Sequence, residues 1–166
     1  LGKNNIGSFA RAIMTTDTYP KIVQGQLPGR PACGIMGVAK GAGMINPMFA
    51  TMLSFLFSDC YLPADSLKKL LPTMGRETFE RISVDGDTST NDSVMVFVKG
   101  AGTEAAKERV FKDEMTRLMR ELALLIVRDG EGATKVVHIV VNGAKRREAA
   151  ERIARRIAAS PLVKTA

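Results

Sequence analysis

The clearest pattern along the chain is a stripe of apolar residues with helical spacing between residues 106 and 126. These residues recur every three or four positions over about six turns, as on one face of an amphipathic helix. They are Ala106, Val110, Phe111, Met115, Leu118, Met119, Leu122, Leu125 and Ile126. Thr103 is a candidate cap at the start of this helix, and Asp129-Gly130 ends it. A long helix with one face in the core is therefore predicted.

A shorter helix is predicted from a cap and two breakers. Asp65 can cap a helix from Ser66 to Leu71, which Pro72 and Gly75 would end. In the first fifty residues, periodicity is limited to a short stretch from Phe9 to Met14, and glycine and proline are frequent. This amino-terminal part is therefore expected to be less regular than the rest.

Continuous apolar runs predict buried strands in the second half of the chain. One run covers Val94–Val98, a second covers Lys135–Val141 and stops at Asn142-Gly143, and Arg81–Val84 is predicted as a third strand. Gln24–Pro31 has the composition of a turn-rich loop. Strands and helices in irregular order favour an α+β sandwich over a doubly wound parallel sheet.

Composition agrees with one folded domain. The chain has 166 residues, of which 45% are hydrophobic and 25% charged, so it can bury a core and is not a disordered segment. The longest apolar candidate, residues 48–57, is far shorter than the about 18 residues of a membrane span. We expect no retained leader peptide. Cys33 and Cys60 are interpreted as reduced, partly buried thiols in a cytosol-like compartment.

The net charge of +7 raises the question of nucleic acid, but most of the excess lies near the carboxyl end. Residues 145–166 hold seven lysines and arginines and two glutamates. Apolar positions three and four apart predict an amphipathic basic helix over 145–159 there. Its apolar face would hold Ala149, Ala150, Ile153, Ile157 and Ala158. No aromatic residues are interleaved to stack bases, so a solvated helix face is the simpler interpretation.

Several standard sites find little support in the residues present. His138 is the one histidine and lies within a predicted strand, so a Ser-His-Asp triad, a Cys-His dyad and a multi-histidine metal site are hard to build. Asp85–Asp92 begins like a calcium loop, but Thr90 stands where a glycine is needed and Val96 where a glutamate is needed. Gly41-Ala42-Gly43 lacks the third glycine of a dinucleotide motif. We therefore expect no metal site.

Thr51 is the candidate nucleophile that remains. A glycine turn and Pro47 lead into Ala50-Thr51, and an apolar run follows over residues 52–57. A threonine hydroxyl can attack the preceding carbonyl, which moves the acyl group from nitrogen to oxygen and frees an α-amino group, and the resulting ester is then hydrolysed. This amine has a pKa of about 7.7–8.0 and can act as general base where no histidine is available. The alternative from the residues alone is that Thr51 caps a helix.

Five ordered blocks resemble the ornithine acetyltransferase (glutamate N-acetyltransferase) family of arginine biosynthesis. The blocks are Ala12–Thr18, Lys40–Met44 leading to Ala50–Leu53, Val84–Asp92, Arg128–Thr134 and Ser160–Ala166. Two departures accompany the match. Met48-Phe49 replaces the Asn-Met that commonly precedes the Ala-Thr pair, and Ala42 replaces a frequent serine. Both leave Lys40 and the Ala-Thr pair unchanged.

The resemblance implies a layered α/β/β/α sandwich of the ornithine acetyltransferase and self-processing aminopeptidase type, incomplete in this chain. Residues 1–166 would be one portion of a catalytic domain and the central part of a longer polypeptide. Self-cleavage between Ala50 and Thr51 would make residues 1–50 the end of the α subunit and 51–166 the start of the β subunit. In such relatives, a Thr-Gly pair upstream of Leu1 supplies the oxyanion hole, and further substrate residues follow Ala166.

The resemblance also implies the activity. Thr51 would accept the acetyl group of N2-acetylornithine and pass it to glutamate, which is ping-pong acyl transfer. Thr15 or Thr16, together with Lys40 and Glu131, would contact the substrate. A lysine can hold a substrate carboxylate and a glutamate can pair with a substrate ammonium, so the residue types suit these roles.

The resemblance implies no bound cofactor, with acetyl-CoA as a co-substrate if the protein is bifunctional. The partners expected are N-acetylornithine, glutamate and the other self-cleavage subunit in an α2β2 heterotetramer, without nucleic acid or membrane. The location expected is the cytoplasm, or the mitochondrial matrix in a fungus. Two alternatives remain: a self-cleaving aminopeptidase or amidase of the same fold, whose nucleophile is usually serine, and a binding module that uses the basic helix 145–159.

Overall fold

A computed structural model describes residues 5–28, 33–46, 52–87, 92–99 and 106–165. Within these ranges, helices and strands follow one another in an irregular order. In chain order they are α1 (Ile6–Ala12), β1 (Lys21–Leu27), β2 (Cys33–Lys40), β3 (Leu53–Tyr61), α2 (Ala64–Glu77), a 3-10 turn (Phe79–Arg81), β4 (Ser93–Lys99), α3 (Glu108–Arg128), α4 (Arg147–Ala158) and α5 (Pro161–Thr165).

The four strands form one mixed sheet in the order β1-β2-β3-β4. The first three strands pair antiparallel, with Val23 opposite Gly37 and Gly37 opposite Leu56. β4 pairs with β3 in parallel, with Leu56 opposite Val96. A parallel neighbour requires a crossover, and α2 lies in the connection between β3 and β4.

α3 covers one face of the sheet and forms the centre of the core. It contacts β1 and β2, and α2 packs against its side. Its fully buried apolar side chains carry the helical period read from the sequence: Phe111, Met115, Leu118, Met119, Leu122 and Ile126. The helix approaches β2 closely at Gly37, where an added Cβ would lie 2.6 Å from methyl carbons of Leu118 and Leu122.

The opposite face of the sheet is only partly covered. Phe9 of α1 meets Phe55 edge to face, with ring centroids 5.0 Å apart. Phe57 and Phe97 stack at 5.2 Å on the same face, yet Phe97 remains 49% exposed. The described residues thus provide one sheet and one covering helical layer of the expected α/β/β/α sandwich. The α+β class is confirmed, and the chain holds a part of the layered fold.

Both helices predicted between residues 65 and 128 are present with different boundaries. α3 begins at Glu108 with Lys107 as its N-cap, so the assignment of Thr103 as the cap is wrong. Thr103 itself lies outside the described residues. α2 begins one residue before Asp65 and continues through Pro72 to Glu77. The proline is tolerated because it is exposed, so the carbonyl that loses its partner can bind water.

Three predictions for extended and loop segments are wrong. Lys135–Val141 forms no strand in the described part of the chain, and Val137 is 62% exposed, because a strand needs a partner to pair with. His138 is likewise exposed rather than buried. Arg81–Val84 begins in the 3-10 turn instead of a strand. The first half of the predicted loop Gln24–Pro31 belongs to β1.

The basic helix predicted over 145–159 is present as α4, but its apolar face is not buried. Ile153 is 47% exposed and Ile157 is 38% exposed. Among the described elements, α5 is the one that packs against α4. No helix in the described ranges is both long and apolar enough to cross a bilayer.

The expectation of two reduced cysteines is wrong in this structure. Cys33 and Cys60 form a disulfide, with Cα atoms 5.3 Å apart. They begin β2 and nearly end β3, and the antiparallel register carries them to opposing positions. A Cα separation in this range suits a disulfide. The sequence separation of 27 residues gave no sign of this proximity.

The close approach at Gly37 can be tested by adding one methyl group. Gly37→Ala should lower the free energy of unfolding of the intact protein by about 1–3 kcal/mol, because the methyl overpacks the contact with Leu118 and Leu122. Urea denaturation measures the change. Gly7→Ala is the matched control, since the nearest atom to its added Cβ is an Arg11 nitrogen 3.7 Å away. Equal stability of the two variants would contradict the packing described for α3.

Candidate active site

A buried lysine at the start of β1 contacts the end of α3 and the loop between α1 and β1. Lys21, the first residue of β1, has no exposed surface. Its ammonium contacts Asp17 Oδ1 and Asp129 Oδ2, each at 2.5 Å. The Asp17 and Asp129 side chains are 0% and 2% exposed. We call these three residues the buried triad.

The local structure explains why these residues meet. Lys21 lies on the same face of β1 as Val23 and Leu27, so it points toward the helical layer that covers this face. Asp129 is the C-cap of α3, the negative end of the helix dipole, where a cation is stabilising. Asp17 belongs to the loop between α1 and β1. The lysine therefore compensates both carboxylates and the helix end.

Backbone and hydroxyl donors complete the triad. Asp17 accepts hydrogen bonds from the N–H groups of Gly41 at 2.7 Å and Thr15 at 3.2 Å. Asp129 accepts from the N–H of Thr18 at 3.0 Å and from its hydroxyl. Burial acts to raise the pKa of both carboxyls, but the hydrogen bonds and the Lys21 charge outweigh it, so both pKa values are lowered.

The end of β2 carries the predicted substrate lysine. Lys40 is 8% exposed, and its ammonium donates to the hydroxyl of Thr15 at 3.3 Å. Gly41 follows with φ of 146°, a conformation that requires glycine, and its N–H is the one bound by Asp17. The buried triad thus fixes the backbone immediately after Lys40.

Glu131 reaches the same region from the end of α3. Its N–H donates to the carbonyl of Ala42 at 2.8 Å. Its carboxylate lies over Gly43, where an added Cβ would be 2.7 Å from Oε1. Any larger side chain at residue 43 would displace that carboxylate. The structure therefore gathers Thr15, Lys40 and Glu131 around the turn that ends β2.

The remaining predicted site residues differ in what the structure says of them. Thr16 is exposed, and the structure gives it no contact with Lys40 of the kind made by Thr15. Ala50 and Thr51 lie outside the described residues. From Leu53 the chain is strand rather than helix, so the helix-cap interpretation of Thr51 is wrong. The roles in substrate binding and catalysis stay predictions for Thr15, Thr16, Lys40, Thr51 and Glu131.

One group of potential metal ligands occurs in the described residues, and it does not suit a metal. Cys33, Asp59 and Cys60 have ligand atoms within 4.8 Å of one another, but the two sulfurs are bonded together and so lack thiolate charge. Asp59 is also bound to the Gly34 N–H at 2.7 Å. Asp85, from the segment that begins like a calcium loop, uses its oxygens to accept backbone N–H groups.

Sequence reasoning missed the buried triad. Asp17 and Asp129 both lie in blocks that carried the family resemblance, yet no pattern linked them, because Lys21 and Asp129 are 108 residues apart. One signal was available. Lys21 continues the alternation of Val23 and Leu27, so a lysine on the core face of a strand would have required a buried partner. Recognising β1 as a strand was the missing step.

Comparisons with known proteins identify the family of the chain. A family model described as the ArgJ family matches residues 2–166. The arginine biosynthesis bifunctional protein ArgJ of Brucella suis is 49% identical over 95% of this chain, and that of Listeria monocytogenes serotype 4b is 46% identical over 98%. The chain spans 41% and 42% of the lengths of these two relatives.

A solved structure provides the corresponding comparison of folds. The crystal structure of arginine biosynthesis bifunctional protein ArgJ from Bacillus halodurans is 39% identical to this chain, with a TM-score of 0.62. The match covers 69% of this chain and 56% of that one. The mixed sheet, its helical layer and the polar residues at the end of β2 thus form a portion of an α+β fold. The chain belongs to the ArgJ family.

The buried triad predicts a large effect of removing its one cation. Lys21→Met leaves two buried carboxylates unpaired and should reduce the free energy of unfolding of the intact protein by about 3–5 kcal/mol. Urea denaturation measures the loss. Lys112→Met is the matched control, because the Lys112–Glu77 pair is partly exposed and 3.5 Å apart, and its loss should be below about 1 kcal/mol. A Lys21→Met protein as stable as this control would contradict the role of the triad.

Proposed function

We propose that the protein containing this chain transfers an acetyl group from N2-acetylornithine to glutamate through an acetylated Thr51. The observation that carries the proposal is the gathering of Thr15, Lys40 and Glu131 at the end of β2. These residues offer a hydroxyl, a cation and an anion around one turn. Membership of the ArgJ family supports the same reaction, since the relatives are named for arginine biosynthesis.

The three groups match the charges of an amino-acid substrate. N2-acetylornithine carries a carboxylate and a side-chain ammonium, and its acetylated nitrogen is uncharged. Lys40 would bind the carboxylate, and its low exposure strengthens that attraction because little water competes. Glu131 is exposed and would bind the ammonium. The acetyl group would then be presented to the Thr51 nucleophile.

The transfer needs one nucleophile and one base. The Thr51 hydroxyl attacks the acetyl carbon, its proton passes to the α-amino group of the same residue, and that amine then protonates the departing ornithine nitrogen. The carbon–nitrogen bond breaks and an acetyl ester on Thr51 remains. Glutamate reverses these steps, because its amine attacks the ester and regenerates the hydroxyl. A free amino group on Thr51 is therefore required.

Self-cleavage would supply that amino group. The Thr51 hydroxyl attacks the carbonyl of Ala50, so that the peptide bond breaks, an ester forms and the Thr51 amine is freed. Water then hydrolyses the ester, which leaves a carboxylate on Ala50 and regenerates the Thr51 hydroxyl. The two products would remain together as α and β subunits in an α2β2 assembly. We propose acetyl-CoA as a second acetyl donor because the relatives are named bifunctional. A cytoplasmic location is proposed because these named relatives are biosynthetic proteins of bacteria.

Replacing the nucleophile tests the proposal. The intact protein, incubated with N2-acetylornithine, should gain about 42 Da on the fragment that begins at Thr51, which is one acetyl group. Thr51→Ala should remain a single uncut chain without this gain, as measured by intact mass. Thr73→Ala in α2 is the control and should behave as wild type. A wild-type protein that neither gains the mass nor acetylates glutamate would overturn the proposal, and free acetate released without glutamate would favour the amidase alternative.

Replacing the substrate-binding residues separates binding from cleavage. Lys40→Ala and Glu131→Gln should each raise the KM for N2-acetylornithine by about 10- to 100-fold, because each removes a hydrogen bond to a charged group. Self-cleavage should change much less. Glu77→Gln, on α2 and paired with Lys112, is the control for Glu131. An unchanged KM in Glu131→Gln, or a loss of its self-cleavage, would contradict the substrate-binding role.

A further inference from the structure

We call residues 47–51 the proposed cleavage segment. The backbone just before this segment is hydrogen-bonded to a distant part of the chain. The Ile45 N–H donates to Asp85 Oδ1 at 2.9 Å, and the Met44 N–H donates to the other oxygen of the same carboxylate. The Ile45 carbonyl accepts from the Val84 N–H at 2.7 Å. Both backbone groups of Ile45 are therefore held.

The backbone just after the segment is held in the same way. The Met52 N–H donates to Asp92 Oδ1 at 2.6 Å, and the Met52 carbonyl accepts from the Ser93 N–H at 3.0 Å. Met52 is 4% exposed, so these bonds are shielded from water. One stretch, residues 84–93, thus provides an aspartate on each side of residues 47–51.

The two aspartates differ in one respect. Asp85 uses both carboxylate oxygens on backbone N–H groups. Asp92 uses only Oδ1, and its Oδ2 is buried with no hydrogen-bond partner in the described part of the chain. A buried acceptor without a donor is costly, so an unused carboxylate oxygen on the residue that binds the Met52 N–H needs an explanation.

We propose that Asp92 is a positioning residue for the nucleophile, with Oδ1 fixing the Met52 backbone and Oδ2 reserved for the amino group that cleavage creates on Thr51. This inference rests on the proposed function. Consecutive backbone nitrogens are separated by only three covalent bonds, so a carboxylate bound to one N–H can reach the amine of the preceding residue. Asp85 would anchor the other side of the segment without touching the amine.

The pairing has a consequence for proton transfer. During acyl transfer the amine takes the hydroxyl proton and becomes an ammonium, and a carboxylate beside it stabilises that charged form. The amine must begin neutral, so activity rises with pH through the pKa of the amine. Burial raises the pKa of Asp92, while the Met52 N–H and the charge of Lys40 act against that rise. Among the described residues, Lys40 on β2 is the charged side chain whose charge acts to lower the pKa of Asp92.

The test is the pH dependence of acetyl transfer by the cleaved protein. Asp92→Asn keeps an oxygen for the Met52 N–H but removes the negative charge, so the acidic limb of the kcat/KM profile should move to lower pH by about one unit. The maximal rate should fall by at least about tenfold because the ammonium loses its partner. Asp85→Asn is the matched control. It should slow self-cleavage without moving the acidic limb.

Separate outcomes distinguish this inference from the proposed function. If Asp92→Asn fails to cleave itself, the two subunits are co-expressed as separate chains ending at Ala50 and starting at Thr51, and the profile is measured on that complex. A wild-type protein that is never cleaved overturns the proposed function. A wild type that is cleaved and active, beside an Asp92→Asn protein with an unmoved acidic limb, overturns the positioning role of Asp92 alone.

Discussion

The ammonium of Lys21 is buried away from solvent, and the arrangement of the candidate site follows from how the protein compensates that charge. Two aspartates 2.5 Å away supply more negative charge than one lysine neutralises, so the N–H groups of Thr15, Thr18 and Gly41 are drawn in as further donors. Thr15 and Thr18 belong to the loop between α1 and β1, and Gly41 follows β2. Breaking the triad would therefore loosen this loop, the turn after β2 and the end of α3 together.

The chemistry of the site is built on this buried base. The Asp17 bond to Gly41 fixes the turn after Lys40, and Asp129 ends α3 two residues before Glu131. The side chains proposed to bind substrate thus lie on backbone that the triad holds. The stretch 84–93 performs a similar task for the backbone on both sides of the proposed cleavage segment. Preorganised backbone of this kind is what acyl transfer requires, because small misplacements of reacting atoms slow it greatly.

The sequence predicted the elements whose signals are local. α3 followed from its apolar period and β4 from its apolar run, whereas β1 and β2 were missed because glycine and proline are frequent in that region. Lys135–Val141 has the composition of a strand, but composition cannot supply a partner. Thr15, Lys40 and Glu131 were found through family resemblance, and the structure then brought them together. The triad and the two anchoring aspartates depend on contacts between distant segments, which no local pattern encodes.

The central claim is that Thr51 becomes a chain terminus, because its own amine then replaces the histidine base that this part of the chain lacks. Amino-terminal sequencing of the purified, active, full-length protein tests it most directly. The account predicts a second amino terminus that reads Thr51-Met52-Leu53-Ser54, in equal amount to the first. An active acetyltransferase with a single amino terminus and an intact Ala50–Thr51 bond would contradict it.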